Sequence, residues 1–190
     1  MQLSILILSV FERQETLGKL LKQLENQIGT NKEVEVLVLT DNRRRTIGTK
    51  RTNLVQSAQG KYVVFIDDDD RIAPNYVSEL LKAIESEPDC ICFNVLVHNL
   101  TTGLIKVCKY ATNFTFEEDI HYYYRKPNHI MCYRKSIADK HKYADISYTE
   151  DFEWSLRAAS DIKSAYFIDK ILYYYECIDK PDDWYFVQGG

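Results

Sequence analysis

The sequence predicts an α/β fold, a mixed and mostly parallel central sheet flanked by helices. Two observations carry this. In the first half, short and nearly all-apolar runs alternate with segments of helical period, the βαβαβα order that builds a parallel sheet with right-handed crossovers. In the second half the apolar residues switch to strict alternation, as in strands with unlike faces. At 190 residues, the chain is long enough for one domain with a sizeable core. We expect a single domain over 1–190, with a nucleotide-type half to about residue 98 and a more irregular half from about residue 99.

The elements follow in order. Leu3 to Leu8 is almost wholly apolar, as a strand covered on both faces should be. Leu17, Leu20, Leu21, Leu24 and Ile28 fall at helical spacing, and Gly29 supplies a stop. Val34 to Leu39 reads as the second strand. Ile47, Leu54, Val55 and Ala58 mark a second helix, closed by Gly60. Tyr62 to Ile66 is the third strand, and Pro74 precedes a helix carrying Val77, Leu80, Leu81 and Ile84. Ile91, Phe93, Val95 and Val97 alternate. Thr101-Thr102-Gly103 is a turn, and Leu104 to Tyr110 returns as a partner strand. Ile130 to Tyr133 is a further short strand. A helix with Phe152, Leu156 and Ala159 on its apolar face follows Thr149-Glu150-Asp151. Tyr166 to Ile168 and Ile171 to Tyr175 are two late strands.

Composition removes several classes. Hydrophobic residues at 45% argue against disorder, and a net charge of −4 gives no global attraction to nucleic acid. The five cysteines are odd in number and lack zinc-site spacing. Cys90 and Cys92 share a strand face, which reads as packing. MQLSILILSV lacks the basic flank and cleavage site of a signal peptide. No run reaches the roughly 18 apolar residues of a membrane span, so the cytoplasm is the expected location. Asn99-Leu100-Thr101 and Asn113-Phe114-Thr115 match the glycosylation sequon by chance in a chain read this way.

Ligands of parallel α/β sheets sit at the carboxyl ends of the strands. Here those ends carry Ser9-Val10-Phe11-Glu12-Arg13, Thr40-Asp41-Asn42 and Asp67-Asp68-Asp69-Asp70. Four adjacent aspartates repel one another, and more strongly where a buried strand ends. The run is either a solvated acidic turn before a helix, where charge near the N-terminus is worth only about 0.3–1 kcal/mol, or a site that could hold a hard divalent cation against a diphosphate. Phe11 can stack on a base, and Asp41 can accept from a base N–H. Neither a GxGxxG nor a GxxxxGK[ST] loop is present, so basic side chains must share the phosphate charge. Lys50 and Arg51 are placed for this, with Arg43 to Arg45 just before them. His98, His121, His129 and His141 are scattered and form no motif.

Taken together these motifs resemble the family 2 glycosyltransferases of the GT-A fold. Phe11, Glu12 and Arg13 fall on the Tyr-Asn-Arg that ends the family's first strand, and Asp41 on the second aspartate of its Asp-Asp-Gly-Ser. Lys50-Arg51-Thr52-Asn53 is similar to its Ala-Arg-Asn segment. Ala58-Gln59-Gly60-Lys61-Tyr62 and Asp67-Asp68-Asp69-Asp70-Arg71-Ile72-Ala73-Pro74 match its Ala-x-Gly-x-Tyr and Asp-x-Asp-Asp-x-x-x-Pro. Glu150-Asp151 with Arg157 match its Glu-Asp pair and helix arginine. The resemblance covers roughly residues 3 to 177. It implies that Asp67 and Asp69 hold Mn²⁺ or Mg²⁺ against the diphosphate of a sugar nucleotide. Asp68 lies on the other face of an extended segment and is grouped with the donor-binding residues Phe11, Glu12, Asp41, Lys50 and Arg51. Asp151 is implied as the general base. Ser147-Tyr148-Thr149-Glu150 also satisfies a capping-box pattern. Where relatives carry a histidine after the last strand, this chain has Tyr175-Glu176-Cys177-Ile178-Asp179, leaving Asp179 or water to fill the place.

The implied function is an inverting, metal-dependent transfer of sugar from a nucleoside diphosphate donor, UDP-type by the resemblance, to the hydroxyl of a glycan or other acceptor; a carboxylate at Asp41 admits uracil, thymine or guanine and not cytosine. Transfer to a hydroxymethylated nucleic-acid base is the first alternative, favoured by Arg43-Arg44-Arg45 and opposed by the net charge. A non-catalytic sugar-nucleotide-binding module and a nucleotidyltransferase are further ones. Tyr122 to Tyr124 and Tyr173 to Tyr175 are expected to pack rather than to line an acceptor groove.

Overall fold

The computed structural model describes residues 1–178. Its strands are β1 (Leu3–Val10), β2 (Val34–Asp41), β3 (Tyr62–Asp67), β4 (Arg71–Ile72), β5 (Cys90–Asn99), β6 (Ile105–Tyr110), β7 (Glu117–Glu118), β8 (Tyr122–Arg125), β9 (Cys132–Arg134) and β10 (Ala165–Cys177). Its helices are α1 (Gln14–Ile28), α2 (Ile47–Ser57), α3 (Tyr76–Ile84), α4 (Lys135–Ala138) and α5 (Glu150–Ala159), and a 3-10 turn spans Phe11–Arg13.

All ten strands belong to one mixed sheet, ordered β2-β1-β3-β9-β5-β6-β8-β7. β10 lies parallel to β5, and its upper part pairs antiparallel with β4. β1 is the axis of the first half: β2 and β3 flank it, both parallel. Leu3 through Leu8 are buried, because helices cover both faces of this part of the sheet. The registers Val10↔Asp41 and Leu8↔Asp67 bring the carboxyl ends of all three strands to one level. The polar residues at those ends therefore share one rim.

The helices form for local reasons. α1 buries Leu17, Leu20 and Leu24, and ends at Gly29, whose φ of 54° suits glycine and whose N–H donates to the Glu25 carbonyl. α2 starts at Thr46, whose hydroxyl accepts from the Thr49 N–H at 3.1 Å. At Gly48 the helix meets the loop after α4. The Gly48 N–H donates to the Ile146 carbonyl at 3.0 Å, and a Cβ there would lie 1.7 Å from the Ala144 carbonyl oxygen. Only glycine permits that approach.

Three expectations need correction. α5 presents Trp154, Ser155 and Ala158 to the core, while Phe152 and Leu156 are exposed. Trp154 decides the face. It stacks on Tyr143 at 4.7 Å, meets Tyr133 edge-on at 5.0 Å and donates its indole N–H to the His141 carbonyl. The two late strands are one, β10, interrupted by register shifts between Ile168 and Tyr173. The capping box does not form: the Ser147 hydroxyl accepts from the Ile47 N–H and Glu150 turns inward. The residue before α5, Thr149, has a left-handed φ of 65°, a strained state for a β-branched side chain. Sequence reading also did not find the short pair β7 and β8. The cysteines in the described residues are all free, with Cys90 and Cys92 sulfurs 3.9 Å apart in the core. Among the described residues, no helix is long and apolar enough to cross a membrane.

Candidate active site

The four aspartates that end and follow β3 are accommodated by four different environments. Asp67 accepts from Arg51 Nη2 at 3.3 Å and lies 3.4 Å from His129 Nε2. Burial pushes its pKa up, but the charges of Arg51 and His129 hold it well below the ordinary carboxylate range. Asp68 is buried, with one oxygen accepting from the Ser9 hydroxyl at 2.6 Å and the other from Arg13 at 2.7 Å. Asp69 has a half-exposed side chain, with Arg13 at 3.0 Å. Asp70 is buried against the Tyr173 hydroxyl, which donates to it at 2.7 Å and accepts from the Asp67 N–H at 3.1 Å. Burial and the Asp67 charge raise the Asp70 pKa to about 8, against the Tyr173 hydrogen bond. Tyr173 thus packs as expected and also clamps both ends of the run.

Asp151 reaches this rim from the second half of the chain. It lies in the first turn of α5, and its Oδ1 accepts from the Phe152 N–H. Its Oδ2 lies 3.2 Å from His129 Nδ1, an ion-pair distance but off the line of a hydrogen bond. Burial raises the Asp151 pKa, yet His129 and then Arg51 bring it down to about 2, so the carboxylate is ionised at neutral pH. Burial and Arg51 lower the pKa of His129, and the two carboxylates more than reverse this. Glu150, beside Asp151, is buried and accepts from Arg51 Nε at 3.3 Å. Arg51 therefore ties β3 to α5, with its guanidinium over the Phe65 ring at 4.9 Å and the Tyr143 ring at 5.9 Å. Its Nη1 is buried without a hydrogen-bond partner in the protein.

The residues expected to hold the donor divide into two sets. Phe11 is 68% exposed on the 3-10 turn after β1, and Glu12 beside it is exposed with Arg43 at 3.8 Å. Asp41 accepts from Lys50 at 3.2 Å and from the Arg43 N–H at 3.0 Å, while its Oδ2 is buried and has no hydrogen-bond partner. Burial raises its pKa, and Lys50 more than offsets this. Lys50 and Arg51 are buried inside α2's contact with the sheet; Lys50 also donates to the Ser9 carbonyl at 3.3 Å. Arg157, matched to the helix arginine, donates to the Lys142 carbonyl at 2.8 Å. Asp179 lies outside the described residues.

Among the described residues, no group of three or more His, Cys, Asp or Glu forms a ready metal cage. The donor set fits a cation that takes one or two carboxylates from the protein and completes its shell with phosphates and water, as Mg²⁺ does. Sequence reading missed His129 as a site residue. It lies in the loop between β8 and β9, and no spacing in the chain points to it.

A mixed sheet that gathers an acidic run, the carboxylate of Asp41 and a second-half aspartate at the carboxyl ends of its first three strands is the GT-A architecture. The chain belongs to glycosyl transferase family 2, whose model matches residues 38–142. A crystal structure of residues 1–349 of S. aureus TarS superposes with a TM-score of 0.69 at 18% identity, covering 93% of this chain and 60% of that one. The same TarS segment in complex with UDP-GlcNAc gives 0.65 at 15% identity, covering 95% and 60%. In sequence, the chain is 24% identical to EpsH of Bacillus subtilis (strain 168), named as a candidate glycosyltransferase, over 90% of this chain and 59% of that protein. The chain thus spans about three-fifths of the length of these relatives.

Proposed function

We propose that this chain transfers a sugar from a UDP-type donor to an acceptor hydroxyl, with inversion and with Mn²⁺ or Mg²⁺ at Asp67 and Asp69. The observation that carries the reading is the convergence of the acidic run and Asp151, from opposite halves of the chain, on one rim of the sheet. Family membership and the TarS complex with UDP-GlcNAc support the donor class.

Each residue has a physical task. Asp41 Oδ2, without a hydrogen-bond partner and 4.0 Å from Arg45 Nε, accepts the N3–H of uracil, which cytosine lacks. Phe11 stacks on the base face. Arg51 Nη1 is the buried donor left over for a diphosphate oxygen. A bound cation supplies neutralisation of the charge that grows on the leaving diphosphate. Asp151 takes the acceptor proton as the acceptor oxygen bonds to the anomeric carbon. The sugar–phosphate bond breaks and its electron pair leaves on the β-phosphate oxygen. One displacement with one base and no enzyme nucleophile inverts the anomeric centre.

Calorimetry of UDP and UDP-GlcNAc with Mn²⁺, and again after chelation, tests the proposal. Binding that depends on the cation is the expected result. Equal affinity after chelation would remove the metal from the mechanism, and no UDP affinity in either state would remove the donor class.

A further inference from the structure

Asp67 ends β3 and Asp151 lies in the first turn of α5, and one buried imidazole stands between them. His129 is only 7% exposed, with Nε2 3.4 Å from Asp67 Oδ2 and Nδ1 3.2 Å from Asp151 Oδ2. Arg51 also crosses from β3 to α5, but it ends on Glu150, one residue short of Asp151. The peptide N–H of Phe152 holds only Oδ1 of Asp151. The oxygen left over faces the imidazole.

We propose that His129 is a positioning residue that fixes the Asp151 carboxylate relative to Asp67, and so sets the base at a constant distance from the donor's reacting carbon. The inference rests on the glycosyl-transfer reading above. Asp67 marks where the diphosphate lies in that reading, and the anomeric carbon is one bond from the diphosphate. A base carried on a separate helix would otherwise drift with α5, whose preceding residue Thr149 is itself in a strained left-handed state. A misplacement near 1 Å can cost about 100-fold in rate. The Nδ1 contact is now off a hydrogen-bond line, as is common in free enzymes, where such contacts tighten once substrate is bound.

The test is a cycle of His129→Gln, His129→Ala, Asp151→Asn and the two double variants, read as UDP release from UDP-GlcNAc with Mn²⁺ and water as the acceptor. Asp151→Asn alone should lower kcat by about 10²- to 10⁴-fold. His129→Ala should lower kcat by about 10- to 100-fold with donor KM unchanged, and His129→Gln, which can still reach one carboxylate, should lose less. In the Asp151→Asn background neither His129 change should lower kcat further. A merely structural histidine would instead give the same loss in both backgrounds, and that result overturns the proposal. Full activity of Asp151→Asn would overturn the base assignment and the bridge together, whereas loss in Asp151→Asn with active His129 variants overturns only the bridge. Crystals of a His129 variant give a readout independent of turnover: the Asp151 carboxylate should leave its place beside Asp67, and an unmoved carboxylate overturns the inference.

Discussion

Asp68 and Asp69 are the same side chain one peptide apart, and their surroundings give them different fates. Asp68 has both oxygens taken by Ser9 and Arg13 in a buried place, whereas Asp69 is half exposed with Arg13 on one side. Asp68→Asn should therefore lower the melting temperature, by the equivalent of about 1–3 kcal/mol for a broken buried charged hydrogen bond, and weaken the cation-dependent part of donor binding less than Asp69→Asn. Asp69→Asn should do the reverse. Thermal melts and Mn²⁺-dependent UDP calorimetry on both variants check the pair; a stable Asp68→Asn with lost cation dependence would reverse the assignment. The alternation of an extended segment is not what separates these two residues: Asp68 and Asp69 sit in a turn closed by the Asp70 N–H, which donates to the Asp67 carbonyl at 3.1 Å, so strand alternation does not apply to them. The sequence could not show that Asp68 would be consumed by Ser9 and Arg13. Nor could it reveal His129 or Tyr173, because partners brought together by tertiary packing leave no local spacing to read.

At the scale of elements, the first half of the sheet was legible because buried parallel strands and amphipathic helices write their own periods. α5 was misread because one large residue, Trp154, outweighs the period of Phe152 and Leu156 by filling the space beside Tyr143. β4, β7 and β8 are too short to carry a pattern. The seam between β5 and β10 holds a further carboxylate: Asp89 accepts from the N–H groups of Lys163 and Ser164 at 2.9 and 3.1 Å, and pairs with Arg134 at 3.4 Å. Burial raises its pKa, but these donors bring it below the ordinary value. A carboxylate with a depressed folded pKa contributes stability above its unfolded value of about 3.9, and loses it as pH falls through the folded value. Asp89→Asn should then cost stability at neutral pH and narrow the gap to the parent below about pH 4. Urea midpoints across that range check it; an unchanged gap at all pH values would show that the charge of Asp89 is not used at this seam.

On the scale of the whole molecule, one sheet runs from β2, β1 and β3 to the β6–β8 region, and the candidate site lies between these parts. The sequence pattern suggests two halves through a change of period, from continuous apolar runs to alternation. Their joint was invisible, because it depends on a contact with no side chain. Gly48 rests against the carbonyl of Ala144, and three residues later the same helix supplies Arg51 to Asp67 and Glu150. An alanine there must push α2 away from the 144–147 loop, at a cost of about 1–3 kcal/mol or more. Gly48→Ala should lower the melting temperature and also reduce donor turnover in the fraction that remains folded; normal turnover would show that the site tolerates the shift. The absent methyl therefore acts as a shim between two machined parts. In a saturation library selected for activity, position 48 should emerge as glycine alone. Variants recovered with any other residue there should carry a second change in the 144–147 loop that restores the clearance.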